Sequence, residues 1–350
     1  MMHMKKCILS IVLTLLFAAC ERYEMPMQVN GYVNLNLQFD RNILPIYHEV
    51  DYLADGTTQT RSSRVGNNDA RPYELRYVVC CYLVDDQGAH PSNPVSTFRY
   101  LNEDLEQPDY RCNFTLPAGR YLIKVWADYV LRGQGADYFY DTTSFYDIAL
   151  TGLLDSYEGS TELRQAFIGE TTVEVPASFS IDDPATIEAK VDMTRPLARF
   201  KFVTTDLNEF VANNLGITDP DEAAHVNFSQ YRVLFRYTGF FPNRFNIFTD
   251  KPFDAARGYQ FITTMPEPTD ISEATLGFDY VLVSNQASSV SVAIGIYRSD
   301  GTLLSFCNPI EIPLLRDHET VVRGRFFSTH SSGNVAINTE FDGNFTVYVN

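Results

Sequence analysis

The stretch GYVNLNLQF (31–39) puts Val33, Leu35, Leu37 and Phe39 on one side of an extended chain and Asn34, Asn36 and Gln38 on the other. Period-two alternation over such a run describes a strand with one dry and one wet face. YRCNFTL (110–116) repeats it, with Tyr110, Cys112, Phe114 and Leu116 opposed to Arg111, Asn113 and Thr115. LPAGRY then breaks the pattern, because Pro117 fixes φ and Gly119 permits a turn. Alternation resumes in RYLIKVWADYV, where Tyr121, Ile123, Val125 and Ala127 align. These two runs predict a hairpin. Further strands are expected near 73–84, 95–101, 138–149 and 170–175.

A polar, proline-containing stretch, VPASFSIDDPAT (175–186), reads as a linker. Beyond it strands are expected near 187–193, 197–204, 231–238, 276–283, 290–298, 302–307, 320–328 and 344–349. SDGT (299–302) predicts a two-residue Asp-Gly turn, since Asp300 and Gly301 both suit a positive φ. One helix is expected, DLNEFVANNLG (206–216). Asp206 and Glu209 form a capping box, Gly216 closes it, and Leu207, Phe210, Val211 and Leu215 give an apolar face. Two sets of about seven short strands predict an all-β chain of two tandem antiparallel β-sandwiches, over 31–180 and 181–350.

The amino terminus has a different character. Lys5 and Lys6 precede an apolar run from Cys7 to Ala19, shorter than the roughly 20 residues that cross a bilayer. A charged start, a short apolar centre and small residues before a cut describe a secretory signal over 1–19. Ala18-Ala19-Cys20 resembles the lipobox of bacterial lipoproteins, with Phe17 where leucine is usual. That resemblance makes Cys20 the lipidated first residue and 20–30 a tether, so the chain meets the membrane through its lipid alone. Removing 19 of 350 residues leaves enough chain for two domains of roughly 150 residues each. The formal charge of −17 disfavours nucleic acid as a partner, since phosphate backbones would be repelled.

Chemistry is hard to find. The histidines after the signal are His48, His90, His225, His318 and His330, none at metal-ligand spacing. No nucleophile elbow, phosphate loop or twelve-residue calcium loop occurs. Cys80, Cys81, Cys112 and Cys307 form no CxxC; Cys112 could pair with Cys80 or Cys81, and buried free thiols are the commoner outcome. No catalytic residue, cofactor or metal is therefore expected. Trp126 reads as a buried anchor between sheets, and Arg195 and Arg199 as partners of carboxylates at the domain junction. FFPNRFNIFTDKP (240–252) reads as a long loop pinned by Pro242, Phe245 and Phe248. The aromatic patch DYFYDTTSFYD (137–147) reads as core plus rim.

The segments LPAGRYLIKVWADYV, AFIGETTVEV, VDMTRPLARFKFVTTDL and YTGFFPNRFNIFTDKP resemble the fimbrillin-like lipoproteins of Bacteroidales, over roughly residues 28–350. The resemblance implies two transthyretin-like sandwiches and a non-enzymatic protein of the outer membrane or cell surface. Its role would be that of a fimbrial stalk, anchor or tip subunit, or an adhesin. Partners would be other fimbrillin-like subunits or a surface ligand; a surface glycan-binding lipoprotein is the alternative. Asp141-Thr142-Thr143 resembles the O-glycosylation signal of Bacteroidota secreted proteins, with Thr142 as acceptor. The resemblance also implies assembly by strand addition after an arginine-specific cut. The polar loop DGTTQTRSSRVGNND (55–69) offers Arg61 and Arg64 for that cut, behind the first strand.

Overall fold

The computed structural model describes residues 28–39, 48–52, 58–62, 73–327 (without 106, 153–155, 179, 224 and 266–272), 335–337 and 344–349. The lipidation candidate Cys20, the processing candidate Arg64 and His330 lie outside the described residues.

β1 (Gly31–Phe39) lies between β6 (Tyr110–Leu116), antiparallel to it, and β11 (Thr186–Met193), parallel to it. Facing them is a sheet in the order β10 (Ala166–Val175), β7 (Gly119–Leu131), β4 (Tyr73–Leu83) and β5 (Ser96–Asn102), all neighbours antiparallel. The second sandwich begins with β12 (Leu197–Thr204), flanked by β17 (Ala274–Leu282), antiparallel, and β20 (Glu319–Gly324), parallel. Its facing sheet runs β16 (Gln260–Thr264), β13 (Tyr231–Tyr237), β18 (Ser288–Arg298) and β19 (Leu303–Leu314).

The two sandwiches are the same seven-stranded motif used twice. β1, β4, β5, β6, β7, β10 and β11 correspond in chain order to β12, β13, β16, β17, β18, β19 and β20. Both the spatial order and the strand directions agree throughout. The second copy carries an addition, β22 (Asn344–Val349), parallel to β20 and itself paired with β21 (Val335–Ile337).

The all-β, tandem-sandwich reading is met, with several corrections. Each sandwich holds a parallel pair, so neither is purely antiparallel. The first sandwich extends through Met193 instead of ending at 180, because β11 completes the sheet of β1. The stretch read as a linker carries the chain from β10 to β11 in the opposite sheet. β6 and β7 do not form a hairpin: the Pro117–Gly119 corner passes the chain between sheets. The β18–β19 loop has three residues, since Arg298 N–H donates to Thr302 O, and only Gly301 has a positive φ (88°). β3 (Thr58–Ser62), inside the stretch 55–69 read as a loop, pairs with β2 (His48–Tyr52), setting Arg61 opposite Glu49.

Helix α1 (Leu207–Leu215) forms where expected and buries Leu207, Phe210 and Val211, but its predicted capping box does not. The Asp206 carboxylate instead accepts from the Thr204 hydroxyl at 2.6 Å and from the Phe327 N–H at 3.1 Å, while Glu209 pairs with Arg325. Gly216 ends the helix, its N–H donating to Ala212 O.

A further sheet joins the halves. β8 (Tyr140–Asp141) and β9 (Ile148–Leu150) come from the first half, β14 (Phe241–Asn246) and β15 (Lys251–Ala256) from the second. β9 pairs with β14, setting Ile148 opposite Phe245. The segment read as a pinned loop is thus a hairpin that closes the seam. One core fills the first sandwich; a larger one fills the second and continues beneath the seam sheet. β4 supplies both: Tyr77, Val79 and Cys81 point inward, Val78, Cys80 and Tyr82 toward the seam. A strand covered on both faces reads as a continuous apolar run, and VVCCYL is one.

Candidate functional site

The seam gathers several of the charged side chains that the fold buries, among them Lys124, Arg164, Arg195 and Asp279. Arg164 ends the short 3-10 turn Glu162–Arg164 of the first half. Its Nε lies 3.8 Å from Oδ1 of Asp279 on β17, with side-chain exposures of 2% and 0%. The Tyr157 and Tyr237 hydroxyls donate to Asp279 Oδ2 at 2.7 and 2.6 Å, and the Tyr280 N–H to Oδ1 at 2.8 Å. Burial pushes the Asp279 carboxyl above the usual carboxylate range, against the pull of Arg164 and the tyrosines. The guanidinium also lies over the Tyr157 ring, 4.2 Å from its centre.

Around this pair the halves are tied repeatedly. Arg199 reaches Glu162 at 2.8 Å across the seam and also pairs with Glu319. Arg244 meets Asp147 at 2.9 Å. Main-chain bonds run from Ser160 N–H to Phe278 O at 2.8 Å and from Ile247 N–H to Phe145 O at 3.0 Å. Arg199 thus does what the sequence suggested, whereas Arg195 bonds the Gln165 side-chain carbonyl instead of a carboxylate.

At one end the seam opens into a cleft of about 380 Å³. The first half contributes Lys124 from β7, Gly169 and Glu170 from β10, and Lys190, Asp192 and Thr194 from and beside β11; the second contributes Ile247, Phe248 and Asp250. Lys124 is nearly buried, pairs with Glu170 and lies 5.2 Å from the centre of the Phe248 ring. Phe248 stacks on Tyr146 at 4.1 Å and on His90 at 4.9 Å, and meets Tyr82 edge-on at 5.1 Å. Asp250 has φ 52°, a left-handed conformation that few non-glycine residues adopt. Arg316 holds it there, donating to both carboxylate oxygens at 2.8 Å.

Other expected residues fall elsewhere. Trp126 is fully buried beneath the seam sheet, edge-on to Tyr140. Within the aromatic patch, Phe139, Tyr140 and Phe145 are core and Tyr138 and Tyr146 half-buried, as read. Thr142 is turned inward, its hydroxyl donating to Asp137 at 2.9 Å, so the acceptor of the O-glycosylation signal is shielded in the fold. Cys80, Cys81, Cys112 and Cys307 are buried free thiols. Burial pushes Cys81 and Cys112 up to about 12, which leaves no reactive thiolate near neutral pH. Among the described residues no group of three or more His, Cys, Asp or Glu could hold a metal ion.

Sequence reasoning missed Lys124, Glu170, Asp279 and Asp250. A usable signal existed for two of them. Lys124 in YLIKVWA and Asp279 in LGFDYVLV are lone charges inside runs otherwise apolar on both faces, and such charges are seldom buried without partners.

The fold and seam define an all-β protein of two fused seven-stranded sandwiches. Residues 27–349 match DUF6562, a family of unknown function, and the chain belongs to that family. No curated protein matches it. Among solved structures it is similar to a candidate cell adhesion protein from Bacteroides eggerthii, at 12% identity over 92% of this chain and 95% of that one, with a TM-score of 0.41. It is also similar to a fimbrial assembly protein from Parabacteroides distasonis (11%, 93% and 100%, 0.38). The fimbrial anchor protein Mfa2 from Porphyromonas gingivalis is a third (10%, 79% and 82%, 0.35).

Proposed function

We propose that this chain is a non-enzymatic lipoprotein of the outer membrane or cell surface, acting as a structural or adhesive subunit of the fimbrial type. The observation that carries the reading is the seam. Tension applied to one sandwich passes to the other through β9–β14 pairing and a buried ion pair, not through a single linker. A subunit that stands between a cell and what it holds needs that continuity. The signal, the lipobox at Cys20 and the fimbrillin-like segments support the surface location. No helix of the described residues is long and apolar enough to cross a membrane.

Assembly by strand addition is the finer form of the proposal. β1 is bonded along both edges, to β6 and to β11. A cut at Arg61 or Arg64 would leave β1 joined to the lipid at Cys20. Its departure would free two edges that a strand from another fimbrillin-like subunit could fill, main-chain bonds giving affinity and alternate side chains specificity. Limited trypsin treatment followed by a synthetic peptide of residues 335–350 tests both steps. Cleavage in 55–69, release of the segment before the cut and uptake of the peptide are the expected results. A resistant loop, or a nicked protein that keeps β1 and ignores the peptide, removes strand addition and leaves an anchor-type subunit.

A further inference from the structure

We propose that the outer face of the four-stranded sheet in the second sandwich binds the first sandwich of a second copy of this chain, head to tail. The internal duplication singles this face out. In the first sandwich the sheet β10-β7-β4-β5 is covered on its outside by the seam sheet, which buries Val78, Cys80 and Trp126. Its counterpart, β19-β18-β13-β16, carries no such cover among the described residues. Register sets Ile262, Leu234, Gly295 and Phe306 in one row across all four strands, with Tyr297 opposite Leu303 in the next row. The Tyr297 ring closes the row over Gly295, where a Cβ would stand 2.7 Å from it. Ile262, Leu303 and Phe306 keep 63%, 50% and 42% of their surface in solvent. Single exposed apolar residues mean little, but an apolar row continuous over a sheet marks an interaction site.

The first sandwich also shows what chemistry covers such a face. Arg76, on the outer side of β4, is met by Asp128 beside it and by Asp137 from the segment leading to β8, each at 2.7 Å. On the corresponding strand β13, Arg232 and Arg236 flank Leu234, and neither meets a carboxylate among the described residues; Arg232 donates to the main-chain carbonyls of Ser229 and Tyr231. Glu311, at the far edge of the face, is bonded by the Ser289 hydroxyl at 2.7 Å. The matching surface is therefore apolar and acidic, and the chain presents one. Ile181, in the turn between β10 and β11, is 83% exposed, more than any other large apolar side chain among the described residues. Asp182 and Asp183 follow it, both exposed and in no ion pair among those residues. The turn is held in shape, because Ser178 Oγ donates to Asp183 O at 3.2 Å and Val29 N–H to Ser178 O at 2.9 Å. A tip fixed in advance loses little freedom on docking. Since the tip belongs to the first sandwich and the face to the second, the contact is heterologous, and copies add in one direction.

The inference rests on the subunit reading above and gives it a contact that needs no strand exchange. Sedimentation velocity of the mature chain, residues 20–350 with Cys20→Ser so that no lipid drives association, tests it over rising protein concentration. The average mass should climb past that of a dimer, and should fall as salt is added. Arg232→Glu/Arg236→Glu and Asp182→Lys/Asp183→Lys should each stay monomeric with thermal midpoints near wild type. Mixed together they should associate again, because each supplies the charge that the other has reversed. Ile262→Ser, at a side chain the fold leaves in solvent, should weaken association about tenfold, and it decides alone if a charge variant fails to fold. The proposal is overturned by a chain that stays monomeric at every concentration, or by a closed dimer as the end point. It is equally overturned by folded variants that associate like the wild type or do not recover on mixing. None of these results bears on the lipid at Cys20, whereas an unlipidated chain in cells would remove the anchoring and leave this contact standing.

Discussion

Arg164 of the first sandwich and Asp279 of the second lie 3.8 Å apart with both side chains almost wholly out of solvent. A buried pair of this kind does little for stability against an apolar replacement, but breaking it strands the remaining charge. Asp279→Asn should destabilise the protein by about 3–5 kcal/mol, because Arg164 keeps its charge without a counter-ion. Arg164→Met added to it should recover part of that loss. Guanidinium unfolding of the two variants measures both, and a silent Asp279→Asn would mean the carboxyl is already neutral in the folded state.

The halves should unfold together. Trp126 is the chain's one tryptophan and sits beneath the seam sheet, so its fluorescence reports the junction. Far-ultraviolet circular dichroism reports the strands of both sandwiches. One coincident transition is expected, the mark of a single cooperative unit. If the tryptophan signal moved at lower denaturant than the dichroism, the seam would be opening before the sandwiches unfold.

Asp128 gives a pH dependence with a definite sign. Burial pushes its carboxyl up to about 6, and the neighbouring Arg76, donating to both oxygens at 2.9 and 2.7 Å, only partly offsets this. A carboxyl raised in the folded state binds more protons there than when unfolded, so its contribution is present at low pH and is lost as pH rises through about 4 to 6. The difference amounts to roughly 3 kcal/mol at most. Denaturation from pH 4 to 7 should show wild type losing stability relative to Asp128→Asn over that window, and then running parallel to it.

Gly169 marks where the two sheets of the first sandwich nearly touch. A Cβ there would stand 2.3 Å from Val191 Cγ1 and 3.0 Å from the Asp192 carbonyl. Gly169→Ala should cost about 1–3 kcal/mol by forcing that corner apart. Thermal unfolding measures it, and an unchanged midpoint would show that the corner yields freely.

What was legible in the sequence follows from what each signal encodes. Strands with one wet face, such as 31–39 and 110–116, announce themselves by alternation, and Gly216 ended its helix where expected. Pairing did not follow from adjacency. In a sandwich, consecutive strands often change sheets, so neither the false hairpin after Leu116 nor the place of β11 beside β1 could be read locally. The hairpin of β14 and β15 escaped because Pro242, Pro252 and two irregularities in register blur its alternation. The cleft was the least visible feature of all. Lys124, Asp192 and Phe248 are scattered along the chain and meet only because the second half folds back over the first.

The claim that this is a lipid-anchored surface subunit is tested most directly at Cys20. Intact cells carrying wild type or Cys20→Ala should be labelled with an antibody to the folded sandwiches, and the amino-terminal peptide of the membrane fraction examined by mass spectrometry. The account predicts a wild-type chain that begins at a diacylglyceryl-modified Cys20 and is labelled on intact cells, with labelling lost in the variant. An unmodified chain beginning elsewhere, or a Cys20→Ala protein still displayed at wild-type level, would contradict it.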